Sequence, residues 1–229
     1  METIQILPER AKALFFCLDG LRYACAVCAL SFERARSALR DLEKYEGQEM
    51  SVPASHALTA VADLWNVVDS AYRARILAAR TPYLKRVTTE YQIFERQTRI
   101  VETLRHYVQH LDSEISKRGQ VSTPVWGSIS WQSAHDPRTA FTLIAGTPVT
   151  SQSHYSLIWD RKENKFVRPL ELVVGDTILD VVGTADSVAR LDRVLKDWSL
   201  TFRFDGGGKY QYEPENVPIL KMSVVSQER

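Results

Sequence analysis

The sequence predicts an α+β protein, with an antiparallel helical bundle over residues 1–119 followed by a small β-rich domain with one helix over residues 120–229. Three observations predict it. Apolar residues recur at three- and four-residue steps through most of residues 8–118, the period of one helical face. After Gly119 the pattern changes to short β-rich runs broken by Gly, Pro and Asp-Pro. A late stretch, TADSVARLDRVLKDWSL, returns to the helical period.

The elements follow in order. Pro8 suits a first helical turn, and a helix runs from there to about Tyr45, with Ser31 as a point where it could break and Gly47 as its end. Ser51 or Pro53 starts the second helix. Its stripe is Leu58, Val61, Trp65, Val68 and Tyr72, and Pro82 closes it. The third begins at Thr88 or Thr89 and carries Phe94, Val101, Leu104, Val108, Leu111 and Ile115 on one face before Gly119 ends it. Long helices joined by short connections pack antiparallel. In the second half, TPVWGSISW, TAFTLIAG, HYSLIWD and KFVRPLELVVGDTILDVV read as strands, with RKENK as a hairpin turn. The last helix has Val188, Leu191, Leu195 and Trp198 on one face and Asp186 or Thr184 as its cap. LTFRF reads as one more strand and DGGGKYQYEP as a loop.

Composition bounds the function. The chain has 229 residues, 45% of them hydrophobic and 25% charged, enough to bury a core without disulfides or metals. A net charge of +1 excludes a global bias toward nucleic acid or membrane. The three cysteines are an odd count without a secretory signal, which points to a reducing, cytoplasmic setting. Cys25 and Cys28 form a CxxC inside the apolar run YACAVCALSF. No second CxxC or histidine pair accompanies it, so buried core thiols are the reading rather than zinc or redox chemistry. That run is far shorter than the ~20 residues a spanning helix needs, and no membrane association is expected.

The stretch LRHYVQHLD at 104–112 carries the functional question. At ~100° per residue, His106 and His110 neighbour each other nearly opposite the apolar stripe. Arg105 and Asp112 line one edge of it, and Gln109 lies four residues after Arg105. Three readings stand. One is a solvated polar face. Another is a metal site, since histidines four apart can chelate, but Tyr107 stands where a zinc-protease helix has its glutamate and no third ligand is spaced for it. The last is acid–base chemistry on a phosphate, with imidazoles moving protons and a guanidinium bracing charge. The window from Arg73 to Arg105 holds eight basic and three acidic residues, a local excess of +5 beside the motif. Glu95 and Arg99 are spaced as a helical ion pair.

These residues resemble a known family. Arg105-His106-Tyr107-Val108-Gln109-His110 matches the R-x4-6-H motif of HEPN domains, an all-helical superfamily in which a polar residue, here His106, commonly follows the arginine. Asp69 and Arg73, in VVDSAYRARIL, resemble the D-x3-R helix of some bacterial HEPN-like proteins, and VWGSISW resembles the Trp-Gly strand that follows there. The resemblance covers roughly residues 55–131, about a third of the chain. It implies a metal-independent endoribonuclease that uses no cofactor and works as a homodimer with two motifs facing one cleft, in stress response or phage defence. His110 would be general acid or base, Arg105 would stabilise the phosphorane-like transition state, His106 would support, and Asp69, Arg73 and Gln109 would orient the cleft. RNA or a nucleotide would be the ligand, and an antitoxin or another protein a further partner. The alternative is a non-catalytic HEPN-like module for binding or dimerisation, since fold alone does not secure activity. By themselves Asp69 and Arg73 also read as a structural ion pair.

Other signals fall short. GGGK at 206–209 lacks phosphate-loop spacing. Ser199 has no nucleophile-elbow pattern around it. His135 and His154 read as surface histidines. Trp126, Trp131, Trp159 and Trp198 read as core filling rather than a stacking platform for bases.

Overall fold

A computed structural model of the chain describes residues 9–45, 54–81, 84, 89–117, 124–146 and 157–201. Helix α1 spans Glu9–Glu43 and α2 spans Ala54–Arg80. Three short helices follow: α3 (Thr89–Gln97), α4 (Arg99–Gln109) and α5 (Leu111–Lys117). The strands are β1 (Ser128–Gln132), β2 (Ala140–Ile144), β3 (Trp159–Asp160), β4 (Lys165–Phe166), β5 (Leu170–Val174) and β6 (Thr177–Asp180), and α6 (Val181–Thr201) comes last. The architecture is mixed, with helices first and then a small antiparallel sheet with one helix, as the patterning predicts.

Helix α1 runs unbroken through Ser31, which is buried. It lies along α2, and both helices bury small side chains: Ala24, Cys25, Cys28, Ala35 and Ala38 on α1, Ala60, Ala71, Ala74 and Ala78 on α2. Small residues let helix axes approach closely. They also explain a correction. The buried face of α2 is this alanine face with Leu64, Val67 and Val68, so Val61, Trp65 and Tyr72 sit at its edge and Leu58 is exposed. Side-chain bulk marks the edge of the buried face rather than its centre, and only Leu58 lies off it. Asp63, fully buried on α2, is met by Arg34 of α1 at 3.1 Å.

The predicted third helix is three helices. Thr98, fully buried, turns its hydroxyl back onto the Phe94 carbonyl at 2.7 Å, and the Val101 N–H drops to Thr98 O at 3.2 Å. Such back-bonding bends helices. The freed Gln97 carbonyl accepts from Thr184 of α6 at 3.5 Å. This break also parts Glu95 from Arg99, and the ion pair their spacing suggests does not form among the described residues. Of the predicted stripe, Phe94, Val101 and Leu104 are buried, Val108 and Leu111 are half-buried, and Ile115 is exposed. Tyr107 is buried in addition, and its hydroxyl donates to the Val125 carbonyl at 2.8 Å.

The main sheet has strand order β2-β1-β5-β6, every pair antiparallel. In one cross-strand row Ile129, Leu172 and Leu179 belong to the core and half-buried Leu143 packs against it; the opposite row is Thr142, Ser130, Glu171 and Asp180. Alternation along a strand puts these rows on opposite faces. The β3–β4 hairpin turns at RKEN, as its composition predicts, with Asp160 accepting the Lys162 N–H at 2.8 Å. Helix α6 starts at Val181, directly after β6. Its cap is Asp180, which accepts the Gly183 N–H at 2.9 Å, so neither Asp186 nor Thr184 caps it. Val188, Leu191 and Leu195 are buried as predicted, and α6 packs against α1, α2 and α3. One cluster of buried side chains takes in α1, α2, α3, α4, the sheet and α6. Leu200 and Thr201 continue the helix, while the rest of LTFRF, the GGGK loop, His154 and the side chain of Trp198 lie outside the described residues.

Gly127 has φ +84°, and a Cβ on it would lie 2.5 Å from the Val173 carbonyl oxygen. Gly127→Ala is expected to cost about 2–3 kcal/mol of stability, read by urea unfolding, because the strained backbone and the clash coincide. A loss within error of zero would refute it. The thiols give a second expected result. Cys25 and Cys28 are buried and free. Burial raises the Cys25 thiol far above its ordinary value and pushes that of Cys28 up to about 11. Thiolate is the reactive form, so a disulfide reagent should label the half-buried Cys17 first and reach the other two only on unfolding. Equal labelling of all three in the folded protein would contradict this.

Candidate functional site

The site residues come from α2 and α4, which pack together. Asp69 and Arg73 lie one turn apart at the exposed edge of α2, with Arg73 Nε donating to Asp69 at 2.6 Å. Arg105 of α4 reaches across and ion-pairs with the other oxygen of the same carboxylate. Its guanidinium also lies over the Tyr72 ring, 4.7 Å from the centroid. Its Nε is buried and makes no hydrogen bond, so the ion pair and the ring contact hold the side chain. Asp69 therefore binds two guanidiniums, and the cluster keeps one net positive charge.

The histidines form a second group. His106 is in the last turn of α4, and His110 is its C-cap, with φ −117° and ψ 31°. The predicted continuous helix thus stops at this motif, and the His110 N–H still bonds back to His106 O at 3.1 Å. Both imidazoles are exposed and touch each other, ring centroids 4.4 Å apart. Gln109 is exposed beside them.

The six predicted residues thus form two groups: Asp69, Arg73 and Arg105 joined by ion pairs, and His106 with His110 joined by ring contact, Gln109 alongside. Arg105 aims at α2, whereas the imidazoles face outward. Among the described residues no three His, Cys, Asp or Glu side chains are grouped to share a metal ion. The basic window also divides. Arg73 and Arg105 are held by Asp69, and Arg75 donates to the Glu95 carbonyl at 2.8 Å with Glu102 at 4.0 Å. Arg96 and Arg99 are exposed and have no ion-pair partner among the described residues.

Sequence reasoning missed two residues. Tyr72 reads as stripe, yet its ring is the platform for Arg105; its place three residues after Asp69 is the available signal. Glu43, at the end of α1, is buried and accepts from Trp131 Nε1 at 3.1 Å, Ser133 Oγ at 2.9 Å and Ala134 N at 3.2 Å. Nothing near it in the chain signals this.

No family model, no curated protein and no solved structure matches the chain. Among the described residues no helix is long and apolar enough to cross a membrane.

Proposed function

We propose that the protein is a metal-independent endoribonuclease of HEPN type that works as a homodimer in the cytoplasm, in stress response or phage defence. The observation that carries the proposal is the exposed pair of touching imidazoles, His106 and His110, next along the helix from the braced Arg105. An imidazole removes the proton from an RNA 2′-hydroxyl as its oxygen attacks the adjacent phosphorus. A second imidazole protonates the departing 5′-oxygen. The products are a 2′,3′-cyclic phosphate and a 5′-hydroxyl, and a guanidinium offsets the charge that builds on the phosphoryl oxygens.

Geometry supports the dimer. In-line displacement places base and acid on opposite sides of phosphorus. Rings 4.4 Å apart leave no room for a phosphate between them, so the pair acts from one side. The other side is then supplied by the same motif of a second chain.

A second reading has its own support. Asp69 occupies Arg105, and Tyr72 stacks on it, which suits a structural latch in a binding or dimerisation module for a nucleotide or a protein such as an antitoxin. The test is RNA cleavage by purified protein in EDTA, with Arg105→Ala and His110→Ala alongside. Cleavage that both substitutions abolish supports the ribonuclease. No cleavage, or equal cleavage by all three, rejects it in favour of the module.

A further inference from the structure

One cavity lies away from both groups and belongs to neither. It has a volume of about 370 Å³ and opens where α3 meets α4, beside the link from β4 to β5. Arg96, Arg99 and Arg168 line it, with Thr103 on the side toward the histidines. The three guanidiniums come from three separate elements: α3, α4 and that link. Arg96 and Arg99 flank the break at Thr98, three residues apart, and both reach the same opening.

Arg168 spends its Nε on the fully buried Glu171, at 3.0 Å. Asp180 also lines the cavity, and one of its oxygens is occupied by the Gly183 N–H. Arg96 and Arg99 are matched by no carboxylate among the described residues. With Glu171 and Asp180 set against the three arginines the opening keeps one net positive charge, and two guanidiniums outside any ion pair at a concave, partly apolar opening suit a phosphate, which accepts the planar fork of donors.

The cavity is also in line with the imidazoles. Arg99, Thr103 and His106 recur at four- and three-residue steps, so they share one face of α4. Arg99 and His106 are therefore separated by ~10 Å along the helix axis. That is the spacing of nearby phosphates on one extended strand, not of two groups acting on a single phosphorus.

We infer that the cavity of Arg96, Arg99 and Arg168 binds a phosphate of single-stranded RNA neighbouring the one that is cleaved, and sets which phosphate meets the imidazoles. The inference rests on the ribonuclease reading above and gives it a positioning site.

The test measures binding and cleavage separately. Binding uses a 2′-O-methyl RNA oligomer, which cannot be cleaved through its 2′-oxygen. For Arg96→Ala/Arg99→Ala the expected result is at least a tenfold loss of affinity, with a salt dependence shallower by about 0.7 for each phosphate no longer neutralised. With cleavable RNA, KM should rise while kcat stays within about threefold, as for a residue that contributes uniform binding. Lys162→Ala, on the β3–β4 turn, removes a charge that does not line the cavity and should change neither. Unchanged affinity in the double variant, or an equal loss in Lys162→Ala, overturns the inference while leaving His110-dependent cleavage to stand. Failure of the wild type to bind the oligomer also overturns it. Affinity that depends on Arg96 and Arg99 in a protein that cleaves nothing upholds the phosphate site and removes the ribonuclease.

Discussion

Glu43→Ala is expected to lower the free energy of unfolding by about 3–4 kcal/mol. The carboxylate is buried, and it is the acceptor for an indole N–H, a hydroxyl and a backbone N–H. Among the described residues no cation pairs with it, although Arg36 and Arg40 border the neighbouring cavity. Its charge is therefore held by neutral donors. Alanine leaves those donors buried and unmatched, at about 1–3 kcal/mol for each that water cannot reach. It also unpins the loop after β1 from the end of α1, where Trp131 stacks on Phe141 with ring centroids 5.5 Å apart. Glu43→Gln keeps the shape and one acceptor, so it should lose about half as much. Urea unfolding followed by circular dichroism measures the loss, and tryptophan fluorescence reports the indole. A Glu43→Ala protein within about 1 kcal/mol of wild type would mean that water replaces the carboxylate, and the tie between helix and sheet would not be energetic.

Glu43 also shows where sequence reading ends. Its partners are 88 to 91 residues away, and no local period encodes a contact of that span. The break at Thr98 is similar. A buried threonine in a helical run is unremarkable until Thr184 arrives to take the Gln97 carbonyl. On α2 a pattern that weights large side chains finds the edge of the buried face, with Val68 inside it, and misses the small residues at its centre. Features encoded locally are legible: the change of grammar after Gly119, the RKEN turn, the buried thiols and the Val188–Leu191–Leu195 face. In the site, the spacing of Asp69 to Arg73 and of His106 to His110 predicts two neighbourhoods correctly. That Asp69 holds Arg105 as well depends on how α2 and α4 pack, which spacing does not contain.

His110→Ala is expected to reduce RNA cleavage by about 10²–10⁴, the range for one positioned proton-transfer group. Arg105→Ala should cost about 10²–10³, as for a cation or donor that offsets transition-state charge. The two differ in what they do to the fold. His110 is exposed, so its loss should leave stability unchanged. Arg105 gives up its ion pair with Asp69 and its place on Tyr72, at a cost of about 1–2 kcal/mol. Stability and rate can therefore be separated across the pair. A residue that served only as a latch would lose activity in proportion to unfolding, and His110→Ala would then be silent. The dimer gives a sharper test. If each cleavage uses imidazoles from two chains, exchanging wild type with a threefold excess of His110→Ala protein should cut activity per wild-type chain to about one quarter, because random pairing leaves only that share of wild-type chains with a wild-type partner. Activity per wild-type chain that does not change on mixing would mean that one chain holds a complete site. The contact of His106 with His110 would then have to open for a phosphate to enter between them.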